Sequence, residues 1–391
     1  MGRQPRHHRL RDRHQHVPAP GGSPLRGGAR VNGRIAGLIG GAVGVVATGA
    51  AIGAAIYSKR RDIEDMYADE PLGLLPPSRT STVAADDGVP LSVEEVDPDD
   101  GGTPEITVVL VHGFALSRKS WHFQRRMFAE QTDPRVRQVL YDQRSHGRSA
   151  RANEESSTID QLGRDLAAVL RAMVPKGPMV LVGHSMGAMT IIALAEQEPD
   201  LFADRVRGVA LIGTSAGEIG ASGLPRPLLS RYNPLTRGMG TLADWQPGLV
   251  ELVRAAGGQL TRRAVRLIAF GSRSVSPRLV DFMMEMLDVT PVRVLADFIE
   301  TLGSHNRYKA LAGLQHCYVL VLSGDHDRMT PYSHAERIAE ELPDAKLIRL
   351  RGAGHMVILE QPDQVNAHLV DLVRQCVSGR GAGRRWWRRR A

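Results

Sequence analysis

Cysteine is almost absent: Cys317 and Cys376 are the only two among 391 residues. That excludes a disulfide framework and leaves no thiolate spacing for a structural metal. Such a chain fits a reducing compartment, and equally an exported protein without disulfides. Long apolar runs are nearly absent as well. The longest run without a charge, residues 35–56, reaches the length a bilayer requires. No nucleic-acid-binding signature appears, so the net charge of +8 does not by itself call for a nucleic-acid partner.

Much of that charge lies at the two ends. Residues 1–34 are packed with Arg, His, Pro and Gly and read as a disordered basic N-terminus. His7, His8, His14 and His16 there read as low-complexity sequence rather than a metal site. Residues 35–57 read as a membrane anchor. The run is long for a secretory h-region, and no A-x-A cleavage site follows. Gly37, Gly41, Gly49 and Gly53 give small-xxx-small spacing suited to helix packing in lipid. Arg26, Arg30 and Arg34 before the run outweigh Lys59, Arg60 and Arg61, which Asp62, Glu64 and Asp65 dilute. The positive-inside rule then puts the N-terminus in the cytoplasm and the rest outside. Translation starting at Val31 would favour the reverse. Residues 58–79 read as a linker. The tail, 379–391, holds Arg384, Arg385, Trp386, Trp387, Arg388, Arg389 and Arg390. That composition suits an anionic membrane surface, or plain solvation.

The most informative stretch is residues 179–187, M-V-L-V-G-H-S-M-G. An apolar run stops at Gly183-His184-Ser185-Met186-Gly187, and a helical pattern follows. A serine between a strand and a helix needs a tight, strained turn, and flanking glycines remove the Cβ atoms that would clash there. The helix start behind the serine offers N–H groups to a developing oxyanion. Two further strand candidates end in titratable residues. Residues 317–322 lead into Asp325-His326-Asp327, and residues 346–350 lead into Gly354-His355. Open α/β sheets place their sites at that strand end.

These pieces resemble the α/β-hydrolase superfamily, its esterase/lipase-like or haloperoxidase-like members, over residues 80–375. The matching motifs are His112-Gly113-Phe114, Asp142-Gln143-Arg144-Ser145-His146-Gly147-Arg148-Ser149, the turn at Ser185, Gly324-x-x-Asp327 with Pro331, and Gly354-His355. The segment at 117–124, with Trp121, is similar too. Ser145 departs from the glycine many members carry, which touches loop geometry more than chemistry. The resemblance implies a catalytic triad of Ser185, Asp327 and His355 in the expected chain order. The G-x-x-D spacing prefers Asp327 over Asp325, which reads as a turn residue. His326 reads as a bystander. The implied oxyanion hole combines the N–H of Met186 with that of Phe114, while His112 shapes the loop. No cofactor or metal is implied.

Strand patterns at 106–111, 137–142, 178–183, 206–213, 317–322 and 345–350 alternate with helical stretches, after an opening hairpin in residues 81–96. That predicts an α/β fold: a mainly parallel sheet with helices on both faces. Thr158 and Gln161 open a helix with capping-box spacing. The core divides into 80–214 and 313–378. Between them, 215–312 breaks the rhythm and reads as an inserted helical cap, entered through Pro225, Pro227 and Pro234. Met283, Met284, Met286 and Leu287 in the cap suit a lipid-like chain, though core packing is the preferred reading. The expectation is a membrane-tethered serine hydrolase acting on lipid or short acyl esters. Alternatives on the same residues are thioester, amide or carbon–carbon cleavage, cofactor-free peracid formation, and a non-catalytic binding member.

Overall fold

The unbroken apolar runs form the centre of the sheet because parallel strands are covered on both faces. In the computed structural model, which describes residues 65–219 and 258–379, they are β3 (Ile106–Val111), β5 (Met179–His184) and most of β7 (Tyr318–Gly324); β4 (Val136–Tyr141), β6 (Val206–Ile212) and the edge strand β8 (Lys346–Leu350) carry Arg137, Arg207, and Lys346 with Arg349. The opening hairpin is β1 (Arg79–Ala84) with β2 (Pro90–Val96). The eight strands lie in the order β1-β2-β4-β3-β5-β6-β7-β8. Pairing is antiparallel from β1 through β2 to β4 and parallel across the rest. Each strand matches its sequence pattern to within two residues at each central boundary.

Alternate strand residues feed two separate cores, as the two-residue side-chain period requires. Val108, Leu110, Val180 and Val182 join Trp121 and Phe128 on one face. Val109, Val111, Leu181 and Val209 join Leu166, Ile191 and Ile338 on the other. The helices that close the first face are α1 (His122–Glu130) and, at the chain's far end, Pro362–Ser378. The second face is closed by α2 (Ile159–Met173), α3 (Met186–Gln197) and Tyr332–Glu341. The N–H of Gln161 donates to Thr158 Oγ1 at 3.1 Å, so the predicted cap forms. Its reciprocal half does not, because the Gln161 amide turns to Asp86 and Asp165 instead.

After the short helix α4 (Pro199–Asp204), three helices of the inserted segment are described: α5 (Gly258–Ala269), α6 (Pro277–Val289) and α7 (Val292–Ser304). Helix α7 buries Val294, Phe298 and Leu302 against Ile159, Leu162, Met186 and Met189, directly over the helix behind Ser185. Helix α6 buries Leu279, Phe282 and Met286 in the cluster around Trp121, with Met283 packed beside them. The packing reading therefore holds for Met283 and Met286.

Residues 65–74, within the stretch read as a linker, strap α6 to α1. Asp65 accepts from the Arg278 N–H at 3.0 Å and from Ser276 Oγ, at the start of α6. Glu70 bonds His122 Nε2 at 2.7 Å and Arg126 at 2.6 Å. Leu72 is buried, and Tyr67 packs on Phe123 with ring centroids 5.3 Å apart. Among the described residues no helix is long and apolar enough to cross a membrane. The expected anchor at 35–57, the proline-rich cap entry and the Arg/Trp tail beyond Gly379 lie outside the described residues.

Candidate active site

Ser185 sits where β5 turns into α3, with φ 53° and ψ −119°. A side chain at such a positive φ is strained by about 1–3 kcal/mol, which the surrounding fold must impose. Hydrogen bonds to both its N–H and its carbonyl hold the serine's backbone there. Its N–H donates to Ile212 O at 2.9 Å, and its carbonyl accepts from Thr214 Oγ1 at 2.9 Å. The glycines are needed for close approach. A Cβ at Gly183 would lie 2.5 Å from the Ala188 nitrogen, and one at Gly187 would collide with the Val111 carbonyl.

The loops after β7 and β8 bring the other two residues to the serine. His355 Nε2 stands 3.0 Å from Ser185 Oγ, and Asp327 Oδ2 stands 2.8 Å from His355 Nδ1. With the carboxylate accepting at Nδ1–H, Nε2 is left as the acceptor facing the serine hydroxyl. Asp327 also accepts from the N–H groups of Met329 (2.8 Å) and Thr330 (2.9 Å), and from Thr330 Oγ1 (3.0 Å). Burial pushes its pKa up. The His355 imidazole and those two N–H groups outweigh burial and hold the carboxyl below its usual range. All three residues are buried, Ser185 retaining 8 % of its surface. Asp325 instead accepts from the Gly352 N–H at 2.7 Å, as the turn reading expected, and His326 is exposed.

Of the two candidate oxyanion donors, Met186 follows the serine directly, and Phe114 follows Gly113, where a Cβ would lie 3.2 Å from Ser185 Cβ. The Met186 N–H opens α3, and a helix's first N–H groups have no carbonyl a turn earlier to bond. Phe114 follows Gly113 in a tight turn closed by the Leu116 N–H on Gly113 O at 3.3 Å. His112 shapes that turn by donating from Nδ1 to Gly113 O at 2.8 Å. Burial, foremost, pushes its pKa down to about 4 and keeps it neutral. Phe114, His146 and Phe298 form an aromatic group with centroids 5.4–6.4 Å apart, bridging the turn to α7.

Several residues that support this geometry carried no role in the sequence. Thr330 braces the carboxylate. His184 Nε2 donates to His355 O at 2.9 Å and so holds the base's own backbone. Gln143 and Thr190 brace the His112 loop. Thr330 and Gln143 sit inside recognised motifs, but no local pattern says which distant group they meet. Ser145 occupies its glycine-like position at φ 64°, and its hydroxyl accepts from the Ala152 N–H at 2.9 Å. Among the described residues, Asp86, Asp87 and Asp165 are the three acids close enough to share a metal ion. Arg144 occupies Asp87 and Asp165, and Gln161 and Arg164 occupy Asp86.

A model of the alpha/beta hydrolase family matches residues 108–368. The acetyltransferase component of an acetoin cleaving system from Pseudomonas putida, named for a dihydrolipoyllysine residue, is 28% identical over 282 residues. That match covers 71% of this chain and 65% of the relative's own length. A pimeloyl-acyl-carrier-protein methyl ester esterase of Aromatoleum aromaticum is 27% identical over 225 residues, covering 54% of this chain and 81% of the relative. Among solved structures, a thermophilic esterase from Thermogutta terrifontis superposes with a TM-score of 0.59 at 23% identity. It covers 76% of this chain and 99% of its own, and it shares the fold.

Proposed function

Because the chain belongs to the alpha/beta hydrolase family, we propose that it is a serine hydrolase that cleaves carboxylic esters through an acyl-enzyme. The observation that carries this reading is the hydrogen-bonded line from Ser185 Oγ through His355 to Asp327. Ser185 Oγ attacks the ester carbonyl carbon as its proton passes to His355 Nε2. The tetrahedral oxyanion is held by the N–H groups of Met186 and Phe114. The C–O bond to the alcohol breaks, and the leaving alkoxide takes the proton from His355. Water then attacks the acyl-enzyme, with His355 as base, and releases the acid and Ser185. Asp327 stays ionised throughout and stabilises the imidazolium.

Ester rather than other acyl chemistry is supported by the methyl ester esterase among the relatives, and the aromatic group at Phe114 suits an apolar acyl chain. The same reading makes residues 35–56 a tether that keeps the enzyme near lipid-borne esters, with the Arg/Trp tail on anionic headgroups. The test is fluorophosphonate labelling with mapping of the modified residue, followed by acyl esters of graded chain length. Labelling at Ser185 with ester turnover is the expected result. Absence of both would end the reading.

A further inference from the structure

The two proposed oxyanion donors come from different parts of the chain, the turn after β3 and the start of α3. We propose that Gln143 and Thr190 are positioning residues: Gln143 fixes the direction of the Phe114 donor, and its bond to Thr190 fixes that donor's spacing from the start of α3; this rests on the serine hydrolase reading above. One peptide unit joins Gly113 to Phe114. A peptide unit is planar, so its C=O and N–H point in opposite, linked directions. Whatever holds the Gly113 carbonyl therefore also aims the Phe114 N–H.

His112 Nδ1 holds that carbonyl at 2.8 Å. It can do so as a donor only in one tautomer, and Gln143 enforces it. The Gln143 backbone N–H donates to His112 Nε2 at 2.9 Å, so Nε2 carries no proton and Nδ1 does. The Gln143 side chain then ties the loop to the helix. Its Nε2 donates to His112 O at 2.7 Å, which turns Oε1 toward α3. There Oε1 accepts from Thr190 Oγ1 at 2.8 Å. Thr190 lies one turn along α3 from Met186, whose carbonyl is also 3.0 Å from Oγ1. His112, Gln143 and Thr190 are each fully buried, so no water replaces a lost member of the chain. Gly187 lets the helix come close enough, since a Cβ there would strike the backbone of Val111 and His112.

The test compares Thr190→Val, which keeps the shape and deletes the hydroxyl, with Thr190→Ser, which keeps the hydroxyl. Gln143→Leu removes the other half of the link. Rates are normalised to end-point fluorophosphonate labelling, so only folded, competent enzyme is counted. Thr190→Val and Gln143→Leu are each expected to lower kcat by about tenfold with KM within about twofold, because a misaimed donor fails mainly in the transition state. The Ki of a trifluoromethyl ketone, which forms a tetrahedral adduct, should rise by the same factor. Thr190→Ser should stay within about twofold of wild type, and the Thr190→Val/Gln143→Leu double variant should be no worse than the poorer single one. Normalised kcat within twofold of wild type for Thr190→Val would overturn the inference, as would equal losses in Thr190→Ser and Thr190→Val. Gln143→Leu failing to fold leaves the threonine pair to decide. A wild-type chain that takes up no label would instead overturn the hydrolase reading itself.

Discussion

At the scale of the residue, the sharpest consequence attaches to Ser185. Ser185→Ala should abolish labelling and lower ester turnover on the order of a thousandfold or more, with circular dichroism unchanged. Some rate should survive, because the oxyanion donors are backbone groups the substitution leaves in place. The choice between the two aspartates is equally open to measurement. Asp327 meets His355, whereas Asp325 meets a turn N–H. Asp327→Asn should therefore cost on the order of a thousandfold in kcat, and Asp325→Asn less than about tenfold. Steady-state kinetics of the two variants side by side checks this, and equal losses would show that the acid was misassigned. Ser185, Asp327 and His355 were legible because each stands in a motif that the backbone dictates: a glycine-flanked turn, or a loop at a strand's end. His184, Thr190 and Gln143 were not. Their partners lie 171, 47 and 31 residues away, and only the packed fold decides those pairings.

Elements follow the same division. Parallel strands announce themselves as short, mostly apolar runs that alternate with helical stretches, so the sheet could be read almost strand for strand. The strap at 65–74 could not, since its charged and proline-flanked sequence looks like a solvated connector. What fixes it is tertiary: Asp65 meets Ser276 across 211 residues, and Glu70 meets His122 across 52. Asp65 works as an extra cap on α6, placing a carboxylate where the helix has unpaired N–H groups and positive dipole. Asp65→Ala should lower stability by about 1 kcal/mol and expose the strap to protease before the core. Limited proteolysis with mapping of the first cut checks it; a first cut elsewhere, with unchanged stability, would mean that the strap contributes nothing to holding α6.

For the whole molecule, the buried histidines govern the response to acid. His112 and His305 have pKa values pushed down to about 4, and His146 and His184 to about 3, with burial the leading cause in each. Unfolded, each takes up a proton near pH 6.5. Below that pH the unfolded chain binds more protons than the fold, so their contribution is complete above about 6.5 and drains away toward about 4 for His112 and His305 and about 3 for His146 and His184. Each of these histidines adds to that loss. Asp327, with its lowered pKa, adds to the loss only at still lower pH. Denaturant titrations between pH 7 and 4.5 should show stability falling steeply, and a flat profile would contradict the buried neutral state. Removing residues 1–57 should move esterase activity from the membrane to the soluble fraction, and a full-length protein that is already soluble would remove the anchor. The chemistry also depends on completed folding. Ser185 and His355 are 170 residues apart in the chain but one hydrogen bond apart in space. Contacts of such high contact order form late, after the loop-closure entropy between them has been met. A refolding chain should therefore recover its secondary structure first and its activity last, and turnover becomes a clock for the final step of folding.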